Sequence, residues 1–469
     1  MTGIKGTGMA ALAELLHKRG AIVRGSDIAE KFYTDKILDR LGIPYREDFD
    51  AANIEPGIQL VIHSAAYDPA KNPELLRAKE LGIPVLVYPE ALGLLSRLSD
   101  STGIAGVHGK TTTTALVGTL LVRLGLPVSV LVGSAVSSFG DASTVSLGSK
   151  YFVAETCEYR RHFLHFDPTR VVLTSVEADH LDYFRDADDI ADAFASYVER
   201  IHPGGALIYC ADDPGAAAVA RGLAEHRRDL TIVPYGIGAE GRFRINEISQ
   251  TAGCSRFCLN GWPVTVFEIR LPGRHVVLDA AGAVALCVLL LETERGRAPE
   301  SGEIAAIGEG LLGFKGSRRR SEILGEAEGV LFMDDYGHHP TAIKTTLEGL
   351  RSFYPGRRII VDFMSHTYSR TKALLEDFAT SFAASDEVIL HKIYASAREV
   401  AGSVSGRDLF EATAKNHPNV HYFEEVEEAL PFCRGLLAPG DLFITMGAGN
   451  NWTLSHALFK ETDSGSESA

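Results

Sequence analysis

The chain has 469 residues, of which 45% are hydrophobic and 23% charged, and its formal net charge is −15. This length exceeds one ordinary hydrophobic core, and we expect three domains. Because nucleic acids and anionic membranes bind through Lys and Arg, the acidic balance argues against both partners. The apolar run 280–291 is about half of a bilayer crossing and the N-terminus has no leader pattern, so we expect a cytoplasmic protein. Only the tail 461–469 is expected to be disordered.

The six cysteines carry neither a metal nor a disulfide pattern. They lack CxxC spacing and paired His residues, and a free Cys usually behaves as a small buried hydrophobe. We therefore expect all six to be inert packing residues, two of them in a hairpin around Asn260-Gly261. They are Cys157, Cys210, Cys254, Cys258, Cys287 and Cys433.

The first hundred residues alternate β-rich runs with helical patterns, which is typical of a parallel α/β sheet. Glycines just after the helical patterns predict where those helices end. The predicted strands are 21–24, 59–63 and 85–88, and the predicted helices are 9–18, 31–41 and 73–81.

Two further α/β regions follow in the sequence. The second begins near Thr102 and includes antiparallel strands at 240–275 before a helix at 280–292. The third begins after the Gly-rich segment 313–316. Restarts of the strand-helix pattern therefore predict domains at 1–100, 101–314 and 315–469. Other predicted strands are 103–107, 128–132, 151–154, 171–174, 330–333, 358–363, 388–391 and 441–446.

The segment Gly106–Thr112, with the sequence GVHGKTT, predicts a phosphate-binding loop between an apolar strand and a helix that runs to about Leu124. Glycines let backbone N–H groups approach phosphate oxygens, and a helix N-terminus adds partial positive charge. Lys110 supplies a point charge and Thr111 a ligand for Mg²⁺. The alternative interpretation is an ordinary strand-to-helix turn.

Polar motifs follow several other predicted strands, at the ends where ligands bind in parallel sheets. Glu155 opens the motif 155–164, and His180 lies in the string EADHLD at 177–182. Each residue alone would be read as a surface carboxylate or a turn histidine, but the phosphate loop upstream favours a ligand site. Because a triphosphate and a carboxylate repel each other, their reaction needs cations with oxygen ligands.

Together these motifs resemble the Mur ligase family of ATP-dependent amide-forming ligases. The short GxxGKTT loop carries the resemblance, with EYRRHFL at 158–164 and motifs at 334–341, 362–371 and 446–450 pointing to its muramate:alanine branch. The resemblance covers the chain from end to end. It implies an α/β protein with a Rossmann-like N-terminal domain that binds the UDP-sugar. A central P-loop ATPase-type domain and a C-terminal Rossmann-like domain follow.

The same resemblance implies the roles of particular residues. Lys110, His180, Arg319 and His338 would be catalytic, and Thr111, Glu155 and His180 would hold Mg²⁺, with two ions expected. Arg318–Arg320 alone would be typical of a solvated face, but it lies beside the segment 313–316, from which domain closure would carry it to the nucleotide. The ATP site would comprise Gly106, His108, Gly109, Lys110, Thr111, Thr112, His275, Asp279, Arg319 and Asp335. The amino-acid site would comprise Tyr336, His338, His366 and Arg370. The UDP-sugar site would comprise Gly6, Thr7, Gly8, Met9, Asp27, Ser64 and Ala65.

Several positions depart from the family pattern. Only Met1 and Thr2 precede the Gly-rich turn at 3–9, where a buried strand is expected, so either the chain start is misassigned or that strand is missing. Ser175 stands where the family has Asn, and Val276 and Asp279 replace two Asn residues that read adenine. Asp279 can only accept hydrogen bonds when ionised, and it would otherwise be a helix N-cap before Ala280. In other branches of the family a carbamylated Lys lies in the region that Ala195 occupies here. Its replacement is expected for the alanine-adding branch.

The implied activity is the ATP-dependent joining of L-alanine to the carboxylate of UDP-N-acetylmuramate through an acyl phosphate, during peptidoglycan precursor synthesis. The expected partners are these small molecules, with ATP and Mg²⁺ as cofactors, and the chain would be a monomer or homodimer. One alternative is a recycling ligase that adds a murein tripeptide to the same UDP-sugar. The other is a non-catalytic nucleotide-binding partner of wall synthesis, which would release no phosphate.

Overall fold

A computed structural model gives the fold and describes residues 1–180, 183–395 and 402–466. Leu181 and Asp182, which end the EADHLD string, lie outside the described residues. The chain forms two compact units that interleave along the sequence. The first unit comprises 1–177, 191–245 and 279–315, and the second comprises 178–190, 246–278 and the chain from Gly316 onward.

The N-terminal part of the first unit contains short parallel strands with helices between them. Thr2 forms parallel bridges to both Ser26 and His63, so the extended start of the chain joins the strand pair β1-β2 to the pair β3-β4. Thr2 therefore pairs with both neighbours at the position where a buried first strand is expected. The elements are α1 (Thr7–Lys18), β1 (Gly25–Ser26), α2 (Asp35–Leu41), β2 (Tyr45–Arg46), β3 (Val61–His63), α3 (Pro73–Glu80), β4 (Val85–Val87) and α4 (Tyr88–Ser96).

A seven-stranded sheet forms the rest of the first unit, in the order β11-β10-β9-β5-β8-β6-β7. Its central strand β5 runs parallel to β8 and β9, so all three end at one edge. The elements are β5 (Asp100–Ala105), α5 (Lys110–Arg123), β6 (Val128–Val136), β7 (Ala142–Ser146), β8 (Tyr151–Glu155), β9 (Arg170–Leu173), α6 (Ala187–Val198), β10 (Ala206–Cys210), α7 (Pro214–His226) and β11 (Thr231–Tyr235).

The second unit contains a three-stranded sheet, β12-β13-β14, and a six-stranded sheet, β15-β16-β20-β17-β18-β19. In the larger sheet β16, β20, β17, β18 and β19 run parallel to one another, while β15 pairs antiparallel with β16. The elements are β12 (Ile245–Thr251), β13 (Cys254–Leu259), β14 (Trp262–Ile269), α8 (Arg274–Arg295), α9 (Ser301–Leu312), β15 (Glu322–Ala327), β16 (Val330–Asp335), α10 (Pro340–Phe353), β17 (Arg358–Met364), α11 (Tyr368–Ala373), α12 (Leu375–Thr380), β18 (Glu387–Leu390), α13 (Gly406–Ala414), β19 (Val420–Tyr422), α14 (Val426–Leu436), β20 (Asp441–Gly447) and α15 (Trp452–Ser466). Among all the elements of the described residues, α6, β12 and α8 cross a unit boundary, and α9 belongs to the first unit.

The predicted α/β class with parallel sheets is confirmed, but four local predictions are wrong. Residues 21–24 form no strand, and Ile22 is 93% exposed there. Helix α2 begins at Asp35 rather than near Lys31. The tail predicted as disordered at 461–469 is helical to Ser466, and its last three residues lie outside the described residues. Cys157 is exposed, so it is not a packing residue. The three domain boundaries stay a prediction.

Helix α8 is longer than its central apolar run suggested. Among the described residues it is the one helix long and apolar enough to cross a membrane, and 78% of its apolar window is buried. Such burial is typical of the core helix of a folded protein.

Candidate active site

The phosphate loop follows β5 and opens α5, as predicted. Gly106 and Gly109 have φ of +140° and +77°, values that disfavour side chains, and an added Cβ at Gly106 would meet Thr174. The loop is also tied to the neighbouring strand, because His108 N–H donates to Ser175 Oγ at 2.9 Å. Ser175, which replaces the family's Asn, therefore anchors the loop.

Lys110 lies inside this loop and contacts an acidic residue that the sequence analysis did not single out. Its Nζ donates to Glu158 Oε2 at 3.0 Å and to the Val107 carbonyl oxygen at 3.3 Å. Burial lowers the pKa of Lys110, but Glu158 and Glu155 outweigh it, so the pKa is raised above its usual value. Lys110 is therefore a fixed cation. Its partner lies three residues after Glu155, within the predicted motif.

Thr111 and Glu155 lie together at the start of α5 and the end of β8. Thr111 Oγ1 donates to Glu155 Oε2 at 3.0 Å, and Gly133 N–H donates to the same oxygen at 3.0 Å. A hydroxyl and a carboxylate are the hard oxygen donors that Mg²⁺ prefers, so this pair fits the predicted ion. Thr112 occupies the next position of α5, and His108 contacts Glu177, a second acidic residue that the analysis did not assign.

Asp279 lies beside the phosphate loop. Its carboxylate occupies the space that a Cβ on Gly109 would need. Helix α8 begins at Arg274, so Asp279 is one turn inside the helix and the alternative role as an N-cap is wrong. His275 lies in the first turn of the same helix.

The predicted UDP-sugar residues surround the start of α1. Thr7, Gly8 and Met9 form its first turn after Gly6, and Ser64 and Ala65 directly follow β3. Asp27 follows β1, and its carboxylate accepts from Lys5 N–H at 2.7 Å and from Tyr67 Oη at 2.9 Å. These contacts fix the orientation of Asp27 before any ligand arrives.

The predicted amino-acid residues form a cluster in the second unit. Arg370, on α11, donates through Nη2 to Asp179 Oδ1 at 2.8 Å and through Nε to the same oxygen at 3.0 Å. Its Nη1 lies 3.1 Å from His366 Nδ1. The rings of His338 and His366 lie 5.8 Å apart. Asp179 is the residue of this cluster that the sequence analysis missed, although it precedes the predicted His180.

Charges within this cluster set its protonation states. Burial raises the pKa of Asp179, but Arg370 and the nearby His180, His338 and His339 hold it well below its usual range. Burial, followed by the Arg370 charge, lowers the pKa of His338 well below 6.5. At neutral pH the cluster therefore combines a carboxylate, a guanidinium and a neutral imidazole.

The second unit also contains the predicted residues His180 and Tyr336, and two arginines lie beside Tyr336. His180 has a φ of +51°, an uncommon value for a non-Gly residue that is often found at functional sites. Tyr336 packs beneath the guanidinium groups of Arg319 and Arg320, which lie 5.1 and 5.3 Å from its ring centroid. Arg319 also donates to Asp334 Oδ2 at 2.8 Å.

Asp335, predicted to contact the ribose, is buried at the end of β16. Its two carboxylate oxygens accept from Ser321 N–H and Gly337 N–H, each at 2.6 Å. It therefore ties the residue that precedes β15 to the loop that follows β16.

Comparison with known proteins identifies the chain's relatives. The Mur ligase family catalytic domain matches residues 1–99, the Mur ligase middle domain 104–287 and the Mur ligase glutamate ligase domain 319–449. The UDP-N-acetylmuramate--L-alanine ligase of Treponema pallidum is 53% identical over 98% of this chain and 95% of that protein. Its counterpart from Borreliella burgdorferi is 41% identical over 97% of each.

Solved structures agree on the fold. The UDP-N-acetylmuramate-alanine ligase of Thermotoga maritima superposes with a TM-score of 0.80 at 23% identity, covering 99% of this chain and 98% of that one. A murein peptide ligase from Psychrobacter arcticus gives 0.67 at 22% identity, covering 98% and 97%. The three-domain fold expected from the resemblance is thereby confirmed, and the chain belongs to the Mur ligase family.

Proposed function

We propose that the chain is an ATP-dependent ligase that joins L-alanine to the carboxylate of UDP-N-acetylmuramate in peptidoglycan precursor synthesis. The observation that carries this proposal is 53% identity, over 98% of the chain, to a protein named for that activity. The polar clusters around Lys110 and Arg370 supply chemistry that suits it.

The first step is phosphoryl transfer. A carboxylate oxygen of the acceptor attacks the γ-phosphorus of ATP, and the bond from that phosphorus to the β,γ-bridging oxygen breaks. ADP departs, and the acceptor carboxylate becomes an acyl phosphate. Lys110, kept cationic by Glu158 and Glu155, stabilises the negative charge of the transferred group. When bound, Mg²⁺, which we expect as two ions, would offset the repulsion between the anionic reactants. Thr111, Glu155 and His180 are the residues that would hold it.

The second step forms the amide. The neutral amine of alanine attacks the acyl carbon, and the tetrahedral intermediate expels phosphate. His338 suits the acceptance of an amine proton, because its lowered pKa keeps the imidazole neutral at pH 7. Arg370 provides a buried cation for the alanine carboxylate, and Asp179 holds its guanidinium in place.

The remaining roles also belong to this proposal. Arg319 would reach the ATP phosphates, and Asp335 and Asp279 would contact the ribose and adenine. The Gly-rich turn would bind the UDP diphosphate. We propose that the domains 1–100, 101–314 and 315–469 bind the UDP-sugar, ATP and the amino acid, respectively. The enzyme would act in the cytoplasm as a monomer or homodimer.

A phosphate-release assay tests the activity. The enzyme is given ATP, Mg²⁺ and UDP-N-acetylmuramate, with L-alanine, L-serine, glycine or the murein tripeptide as the amine. We expect release to be fastest with L-alanine. Release with the tripeptide alone would assign the recycling activity instead, and release with none of the amines would contradict a ligase.

A further inference from the structure

Tyr88 is the first residue of α4 and packs on the Gly-rich turn, which the proposed function assigns to the UDP diphosphate. An added Cβ on Gly8, in the Gly-rich turn, would lie 2.9 Å from the Tyr88 Cζ and 3.0 Å from its Oη. The phenol therefore packs directly on the turn that would carry the UDP diphosphate. Gly8 leaves the space that the Tyr88 ring occupies.

Charged groups at and just after the end of β8 also affect the Tyr88 phenol. Burial raises the pKa of Tyr88, and the charges of Glu155 and Cys157 raise it further. Glu155 is the predicted metal ligand at the end of β8. The hydroxyl consequently stays protonated at physiological pH and can act as a hydrogen-bond donor near the carboxylate cluster.

The hydroxyl is also available. Within the part of the chain that the structure describes, Tyr88 Oη makes no hydrogen bond, although the residue is only partly exposed. A half-buried phenol commonly pairs its hydroxyl with a polar partner. Here that partner has to come from solvent or from a ligand.

Helix α4 is held firmly, so the position of Tyr88 is fixed. Glu90 accepts from Val87 N–H at 3.0 Å at its start. At its end, Ser96 Oγ accepts from Asp167 N–H at 2.9 Å, and Gly93 packs against the His165 carbonyl group. These contacts attach α4 to the segment that follows Glu155–Glu158.

We propose that the Tyr88 hydroxyl donates a hydrogen bond to the lactyl carboxylate of the muramoyl group and so positions the acceptor for phosphorylation. This inference rests on the proposed function. The substrate must extend from the Gly-rich turn, where its diphosphate binds, to the Thr111–Glu155 pair, where its carboxylate reacts. Tyr88 contacts the first site and is influenced by the second, and the carboxylate is the strongest acceptor on the intervening group.

Tyr88→Phe removes the hydroxyl and keeps the ring packed on Gly8. We expect the Kd for UDP-N-acetylmuramate, measured by calorimetry without ATP, to rise about tenfold or more, the size typical of hydrogen bonds to charged groups. The Kd for UDP-N-acetylglucosamine, which lacks the lactyl group, should change less than about twofold. The KM for ATP and the unfolding temperature should not change.

Tyr422→Phe is the matched control, because Tyr422 Oη donates to Glu424 at 2.6 Å in the second unit. An unchanged Kd for UDP-N-acetylmuramate in Tyr88→Phe would overturn the inference. An equal loss for both sugars would assign the hydroxyl to the diphosphate and would also overturn it. If the wild type binds UDP-N-acetylmuramate but releases no phosphate with any amine, the proposed function fails while the Tyr88 result still decides its own contact.

Discussion

Lys110 and Glu158 form an ion pair that is largely removed from solvent, with side chains 12% and 2% exposed. Lys110→Ala takes away the cation of the phosphate loop and leaves Glu158 without that ammonium. We expect turnover below about a tenth of wild type, and a loss of about 3–5 kcal/mol in the free energy of unfolding, typical of breaking a buried pair. Phosphate release and urea unfolding measure the two effects.

The double variant Lys110→Ala/Glu158→Gln separates these effects. Removing the carboxylate charge should recover most of the lost stability, while turnover stays low because the loop cation is still absent. UDP-N-acetylmuramate binding should persist in both variants. A double variant that recovers both stability and turnover would mean that Lys110 has only a structural role.

Substitution of Glu155 tests whether its carboxylate helps to hold Mg²⁺. Glu155→Gln keeps the hydrogen-bonding shape but removes the charge that attracts Mg²⁺, so half-maximal activity should require several times more Mg²⁺. The control is Glu80→Gln, whose carboxylate pairs with Arg77 on the exposed face of α3. A magnesium titration of phosphate release gives the comparison, and identical curves for Glu155→Gln and wild type would remove Glu155 from the metal site.

Asp279 places a carboxylate beside Gly109 of the phosphate loop, close to where a polyanion would bind. Asp279→Asn removes that charge and restores an amide donor for adenine. We therefore expect the KM for ATP to fall by a factor corresponding to one hydrogen bond, about 0.5–1.5 kcal/mol. The KM is measured at saturating UDP-sugar and alanine. An unchanged or higher value would show that Asp279 does not read adenine.

At the scale of secondary structure, the Arg370–Asp179 pair attaches α11 to the segment 178–190 of the second unit. Both side chains are buried, 7% and 6% exposed. Arg370→Met should cost about 3–5 kcal/mol of unfolding free energy at pH 7, because Asp179 is left as an unpaired buried charge. Arg256→Met is the matched control, since its pair with Glu268 on β13 and β14 is half exposed and should contribute less than about 1 kcal/mol.

The pH dependence of this cost has a definite sign. With Arg370 present, the pKa of Asp179 lies well below its usual value, so the pair's stabilisation is present above about pH 4 and lost as the pH falls further. Without Arg370, burial favours the protonated acid. The cost of Arg370→Met should therefore shrink between pH 7 and pH 4.5, as urea unfolding at both values will show. A constant cost would contradict the role of Asp179.

Elements with strong local signals could be predicted from the sequence, whereas those that depend on pairing could not. The GVHGKTT loop and α5 carry their own glycines and helical spacing, and both lie where predicted. The strand predicted at 21–24 failed because β1 is only two residues long and forms through hydrogen bonds with β2, a contact that no local pattern encodes. Glu158 and Tyr88 were missed for the same reason, since their importance comes from neighbours distant in sequence.

At the scale of the whole molecule, the two units interleave along the sequence, so we ask whether the C-terminal third can fold alone. Two apolar clusters of the described residues have all their buried members between Ala327 and Leu458. Both of these clusters therefore lie wholly within 316–469. Asp179, however, belongs to the same unit and lies outside that fragment.

A fragment comprising residues 316–469 should therefore fold cooperatively, because it retains both of these apolar clusters. In this fragment Arg370 has lost its carboxylate partner Asp179, so Arg370→Met should cost less than about 1 kcal/mol, compared with about 3–5 kcal/mol in the full chain. Urea unfolding of the four proteins closes this thermodynamic cycle. An unfolded fragment would show that the segments 178–190 and 246–278 are essential to the second unit. An equal cost in both backgrounds would show that Arg370 stabilises the unit through contacts other than Asp179.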